Sequence, residues 1–221
     1  MDIDQLPPVR IPGRRLSRVS LNGFARPRGT LGRLGGTLMA CRNQAACAEI
    51  ADLADVRPGH DVLEVGYGPG ELMRQLAVSV PDVVITGVDP SPVMRDMARR
   101  RCAAEVAAGR VDPRLGAATA TGLPDEAADR VISLNNVPFW GDIPAGLTEL
   151  RRVLRPGGLL VVAFHSRTAP SRHVRRMGLP EDADRRLRTA VADVFGAGAR
   201  HDLVHLTAVT AIRSADGTAA P

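Results

Sequence analysis

Twenty residues do most to limit what this chain can fold into: "DVLEVGYGPGELMRQLAVSV", residues 61–80. "DVLEV" reads as a buried strand. Leu72, Leu76 and Val80 recur four apart, which sets them on one face of a helix that Pro81 ends. Between the two lie Gly66, Gly68 and Gly70, one glycine at every second position. A glycine turn between a strand and a helix can cradle a phosphate, a dinucleotide or another adenosyl cofactor. The rest of the chain must be built around that unit.

The same alternation continues downstream. "VVITGV" is a second strand. Ser91 and Pro92 are N-cap and first-turn residues for a helix carrying Met94, Ala98, Cys102 and Val106. A short strand is expected near Arg114–Ala118, and "RVISL" is a fourth. "DIPAGLTELRRVL" is a helix with Leu147, Leu150 and Leu154 inward, closed by "RPGG". "LLVVAF" is a continuous apolar strand, the type covered on both faces. A helix over 181–194 and two antiparallel strands within 199–213 complete the series. Upstream, residues 37–55 read as a helix with Leu38, Ile50 and Leu53 among its apolar positions, stopped by "RPG" at 57–59. This pattern predicts a doubly wound α/β sheet. The division expected is an N-terminal arm and lid helix over 1–55, the main domain over 56–213, and a disordered tail over 214–221.

Composition narrows the chemistry. All 29 basic residues are arginine. The absence of lysine, with abundant Ala, Gly and Pro, points to a GC-rich bacterial genome, and it excludes a phosphate-loop lysine or a Schiff base. The net charge of +5 is concentrated early: Arg10, Arg14, Arg15, Arg18, Arg26, Arg28, Arg33 and Arg42 lie in the first 42 residues. The excess therefore belongs to an arm, and nucleic acid is not the expected partner. No apolar run approaches the roughly 20 residues needed to span a bilayer. With no apolar signal core at the N-terminus, a cytoplasmic protein is expected. Cys41, Cys47 and Cys102 lack metal-ligand spacing, and no Ser/His/Asp order, HExxH or CxxC pair supports a hydrolase or a metal site.

Three cofactor readings compete for the glycine turn. A phosphate loop needs GxxxxGK[ST], which a chain without lysine cannot supply. The dinucleotide pattern GxGxxG, started at Gly66, would need its third glycine at Glu71. An acidic residue followed by GxGxG is matched outright by Glu64, Gly66, Gly68 and Gly70.

At this point the chain resembles the class I S-adenosylmethionine (SAM)-dependent methyltransferases over roughly residues 45–165. "LEVGYGPG" is similar to the family's first motif, and "ITGVDPSPVM" carries the acid that ends the second strand. "GAATATGLPDEAADRVISLNN" is similar to the adenine-side segment, and "ELRRVLRPGGLLVV" to the helix and fifth strand. The nearest group is the small-molecule enzymes similar to quinone and polyketide C- and O-methylases. The resemblance implies a Rossmann-like seven-stranded sheet of order 3-2-1-4-5-7-6, last strand antiparallel, and SAM as cofactor.

It also implies a site. The glycines let the backbone approach the cofactor's amino-acid end. Glu64 orients that loop or accepts from the cofactor's ammonium. Asp89, followed by Pro90, accepts from both ribose hydroxyls, as an acid at this point does in dinucleotide folds. Tyr67 leans over the cofactor or fills space, and Asn135 borders it. Ala117 stands where the family has an acid beside the adenine amine, which leaves the backbone of Ala117 and Ala118 to read adenine. "NNVPFW" resembles, without its first proline, the amine-binding motif of amine methylases at Asn136. Phe139 and Trp140 wall an apolar acceptor pocket or belong to the core. His165 and His173 are the candidate bases, and a base is needed only where the acceptor holds its proton tightly. The expected partner is a small-molecule acceptor, and the expected state a monomer or homodimer. The alternatives are a nucleic-acid or protein methyltransferase using the arginine arm, and a methyltransferase fold turned to cyclase or binding work.

Overall fold

The computed structural model describes residues 44–215. Leu38, the arm arginines through Arg42 and residues 216–221 of the expected tail lie outside them. The described chain begins with α1 (Gln44–Ala54), whose buried face is Ala46, Cys47, Ile50 and Ala54. Then come β1 (Asp61–Val65), α2 (Glu71–Ser79), β2 (Val84–Asp89), α3 (Pro92–Arg101), α4 (Ala103–Ala107) and β3 (Val111–Leu115). The second half is β4 (Ala128–Leu134), a 3-10 turn (Val137–Phe139), α5 (Ile143–Val153), β5 (Leu154–His165), α6 (Arg172–Met177), α7 (Glu181–Phe195), β6 (Ala199–Asp202) and β7 (Leu206–Ile212). Among the described residues no helix is long and apolar enough to cross a membrane.

The strands form one sheet in the order β3-β2-β1-β4-β5-β7-β6. β3, β2, β1, β4 and β5 pair in parallel, and β7 runs antiparallel to both neighbours. The expected order and the antiparallel last strand are both observed. The chain winds outward from β1 through β2 to β3, then returns to place β4 on the other side of β1. That reversal opens a crevice at the carboxyl ends of β1 and β4, where ligands bind in such sheets.

Each face of the sheet buries its own core. On one, α1, α2 and α3 bring Ile50, Met73, Leu76 and Ala98 against Val62, Ile85, Ile132 and Val161. On the other, α5 and α7 bring Leu147, Leu150, Leu187 and Val191 against Leu63, Val131, Leu160 and Val162. Burial on both faces is why these strands read as continuous apolar runs.

α1 belongs to the first core and packs on α2, β4 and β5. Its outer edge is pinned by Glu49. That carboxylate accepts the Nδ1–H of His205 at 2.8 Å and the backbone amides of His205 and Leu206 at 3.0 and 3.2 Å.

Two local expectations are corrected. The helix expected to run through Val106 breaks at Cys102, where the thiol donates to the Gly70 carbonyl at 3.6 Å. The strand expected near Arg114–Ala118 lies earlier, at Val111–Leu115, because its ladder with β2 starts at Ile85 opposite Val111 and ends at Asp89 opposite Leu115. Pro113 obscures that strand in the sequence, but an edge strand tolerates proline. Ser91 caps α3 as expected, accepting from the Met94 amide at 3.3 Å.

Candidate cofactor cleft

Beyond β1 the glycine turn is fastened to β2. The Gly66 amide donates to the Val88 carbonyl at 2.7 Å. Asp89 takes the Gly68 amide on Oδ2 at 3.0 Å and the Ser91 amide on Oδ1 at 2.9 Å. One carboxylate thus holds the loop and the start of α3 together.

Two of the three glycines answer to the protein's own packing. Gly66 has φ +75°, and a Cβ there would sit 2.1 Å from the Asn136 carboxamide. Gly70 caps α2 at φ +81°, where a Cβ would meet Ala98 at 2.9 Å. Only Gly68 faces open space. Gly66 and Gly70 are therefore also required by the protein's own packing, against Asn136 and α3.

The cleft at this crevice is lined by Glu64, Gly66, Tyr67, Gly68, Asp89 and Pro90. Ala117, Ala118, Asn135, Asn136, Phe139 and Trp140 line it from the other elements. Twelve of the thirteen residues expected at the cofactor and acceptor therefore share one cleft; Gly70 sits behind it under α3. His165 and His173 do not line it.

Tyr67 lines the cleft with its ring packed against Gly87 of β2, and its hydroxyl donates to the Arg114 carbonyl at 3.0 Å. Trp140 is buried and donates from Nε1 to Asn136 Oδ1 at 2.8 Å, so the Asn136 carbonyl is committed to the tryptophan. Phe139 is exposed at the rim. Asn135 adopts φ +56°, and both polar atoms of its side chain are buried without a partner. Strain and unmet hydrogen-bonding capacity coincide at this residue, a combination that clusters at ligand sites.

In the turn after β3, Ala117 and Ala120 exchange backbone hydrogen bonds of 3.1 and 3.0 Å. The Ala117 amide is therefore spent within the turn. This turn is anchored from below. Glu149 of α5 accepts the amide and hydroxyl of Thr121, and Arg152 pairs with Glu149 at 2.8 Å. The Arg152 contact, then those of Thr121, hold the Glu149 carboxyl down at about 2.

The cleft is acidic: the residues lining it include Glu64, Glu71 and Asp89 and no arginine or histidine. Burial lifts Asp89 to about 6, with the Ser91 and Gly68 amides opposing. Burial first, and Asp89 second, push Glu64 to about 8 against the amide of Met73. Glu64 Oε2 is buried without a partner.

Sequence reasoning missed Cys47 and Glu71 as lining residues, and the Glu49–His205 pair. The four-residue spacing of α1 marks Cys47 as buried, but only docking onto the sheet sets it over this crevice. His165 ends β5 with a buried Nδ1 that has no partner, and burial, then His173, lowers its pKa.

The comparisons agree with this geometry. A methyltransferase-domain family matches residues 62–158. A Bacillus subtilis protein described as the uncharacterized methyltransferase YdaC is 32% identical over 165 residues, covering 75% of this chain and 85% of the relative. A demethylmenaquinone methyltransferase from Symbiobacterium thermophilum is 38% identical over 109 residues, 48% of this chain and 42% of that protein. The chain thus spans less than half the length of that relative. Among solved structures, one from Methanococcus maripaludis assigned as a SAM-dependent methyltransferase superposes with a TM-score of 0.70 at 16% identity, covering 87% of this chain and 98% of that one.

The chain belongs to the class I SAM-dependent methyltransferases, and its cofactor is SAM. The residues fit that group: a cleft rich in carboxylate suits a cation, and the unpartnered atoms of Glu64 and Asn135 offer it hydrogen-bonding capacity.

Proposed function

We propose that the chain methylates a small apolar or aromatic metabolite, at oxygen or carbon. The observation that carries this reading is the pairing of an acidic cofactor cleft with an apolar rim of Leu134, Phe139 and Trp140. The likeness to a demethylmenaquinone methyltransferase supports an acceptor of quinone or phenol type.

In this reading Asp89 accepts from the ribose hydroxyls with the lone pairs its two amide contacts leave free, since an ionised carboxylate has about four. Ala118 takes the adenine edge, and Glu64 and Asn135 face the amino-acid end. When bound, the cofactor supplies a methyl group on positively charged sulfur. The chain's own contribution is alignment and the exclusion of water.

The cofactor then runs along the sheet edge from β3 and β2 toward β1 and β4, which leaves the acceptor over β4, β5 and β7. His165 is there, neutral and with a free Nδ1. His205 is beside it, its carbonyl accepting the Ser166 amide at 2.9 Å and its ring oriented by Glu49. With His173, close enough to act on His165, these are the candidate proton acceptors for a phenol or enol. α1 serves as the described part of a lid through Cys47.

Methyl transfer from labelled SAM to a panel of phenols, hydroxyquinones and polyketides tests the reading. Deletion of residues 1–36 should lower turnover on such acceptors while SAM binding survives. Activity on RNA or protein alone, abolished by that deletion, would overturn it.

A further inference from the structure

Three carboxylates line the cleft, and two are compensated within the protein. Glu71 forms an ion pair with Arg101. Asp89 accepts the amides of Gly68 and Ser91. Glu64 is left over: only 3% exposed, with Oε2 unpartnered.

No arginine or histidine lines the cleft with it. It shares that cleft with Asp89 of β2, Tyr67 of the glycine turn and Cys47 of α1. Glu71, at the start of α2, adds its charge beside Cys47. All of these are acidic or neutral. A buried carboxylate without a counter-ion neutralises itself by taking a proton. A ligand that brings fixed positive charge reverses that balance.

We propose that Glu64 is a proton-linked counter-ion for the positive charge of SAM: a carboxylic acid in the ligand-free protein, it ionises and gives its proton to solvent as SAM binds. One O–H bond breaks, the electron pair stays on the carboxylate, and the proton leaves to buffer. Glu64 is thereby a specificity residue that ties cofactor affinity to pH. The inference rests on SAM as the cofactor and not on the identity of the acceptor.

The test is calorimetry of the full chain with SAM at pH 7.0, in phosphate, HEPES and Tris, whose ionisation heats differ. With Glu64 lifted to about 8, close to one proton should be released per SAM bound. The Kd for SAM should tighten roughly eightfold from pH 6.5 to 7.5, by the same linkage. In Glu64→Gln both effects should vanish. S-adenosylhomocysteine keeps the ammonium and lacks the sulfonium charge. Proton release by both ligands upholds pairing with the ammonium, and release by SAM alone upholds pairing with the sulfonium. SAM binding whose heat does not depend on buffer overturns the inference, and that measurement needs only the wild-type protein. So does equal release from a folded Glu64→Gln. Absence of any SAM binding would instead overturn the cofactor assignment beneath it.

Discussion

Asp89 reaches back 21 residues to hold Gly68, accepting its amide on Oδ2 at 3.0 Å, while Oδ1 takes the amide of Ser91. Removing this carboxylate frees two backbone donors in a largely buried place. Hydrogen bonds to charged groups contribute about 1.5–3 kcal/mol each, so Asp89→Ala should weaken SAM binding on the order of tenfold or more and lower stability as well. Asp89→Asn keeps one carbonyl acceptor and should fall between. Calorimetry and urea denaturation check both. An unchanged Kd in Asp89→Ala would remove Asp89 from the cofactor site.

Glu64 also imprints a pH dependence on the ligand-free fold. Its carboxyl is lifted from 4.5 to about 8, so the folded state holds a proton that the unfolded chain gives up. The sign follows: the benefit of the neutral acid is fully present below about 4.5 and lost as pH rises through about 8. Stability of Glu64→Gln relative to wild type should therefore increase steadily between pH 5 and pH 8.5. Urea midpoints at both pH values measure it. A difference independent of pH would mean that Glu64 is ionised already at pH 5.

Much of this site is legible from neighbours in sequence. The strand, the glycine turn and the helix after it are local patterns, as is the Ser91–Pro92 cap, and Asp89 follows from where the second strand must stop. What the sequence hides depends on partners far along the chain. Gly66 is required by the side chain of Asn136, 70 residues on, and Gly70 by Ala98. The helix break at Cys102 coincides with a thiol contact to a carbonyl 32 residues earlier. Trp140 reads equally as pocket wall or core, and its hydrogen bond to Asn136 makes it both. α6 has no buried residue, so no apolar spacing marks it.

The adenine end offers a gain-of-contact test. In the proposed site Ala117 offers the base no side-chain acceptor, and its amide is bonded to Ala120. Ala117→Asp restores an acceptor on a half-buried turn that Thr121 and Glu149 anchor. SAM affinity should hold or rise, measured by calorimetry beside a thermal melt. A variant that melts normally but loses SAM would show that the acid cannot be accommodated there, and that the segment at 116–121 does not meet adenine in the expected register.

The attachment of α1 makes the last prediction, because one carboxylate does most of it. Glu49 accepts three different N–H groups of His205 and Leu206, across 156 and 157 residues of chain. Two are backbone amides, which His205→Ala leaves in place. Glu49→Ala leaves all three donors without their acceptor, while His205→Ala gives up only the ring. Taking hydrogen bonds to charged groups as about 1.5–3 kcal/mol, Glu49→Ala should cost at least about 2 kcal/mol and His205→Ala distinctly less. The double variant should cost little more than Glu49→Ala, since the pair shares one contact. Urea denaturation of the three proteins measures this. Cofactor binding reports the second consequence: α1 carries Cys47 into the cleft beside Glu64, so loosening its outer edge in Glu49→Ala should weaken SAM several-fold, with a smaller effect from His205→Ala. If the two single variants lose equal stability, the clamp is the side-chain pair alone, and the backbone amides of His205 and Leu206 take no part in holding α1.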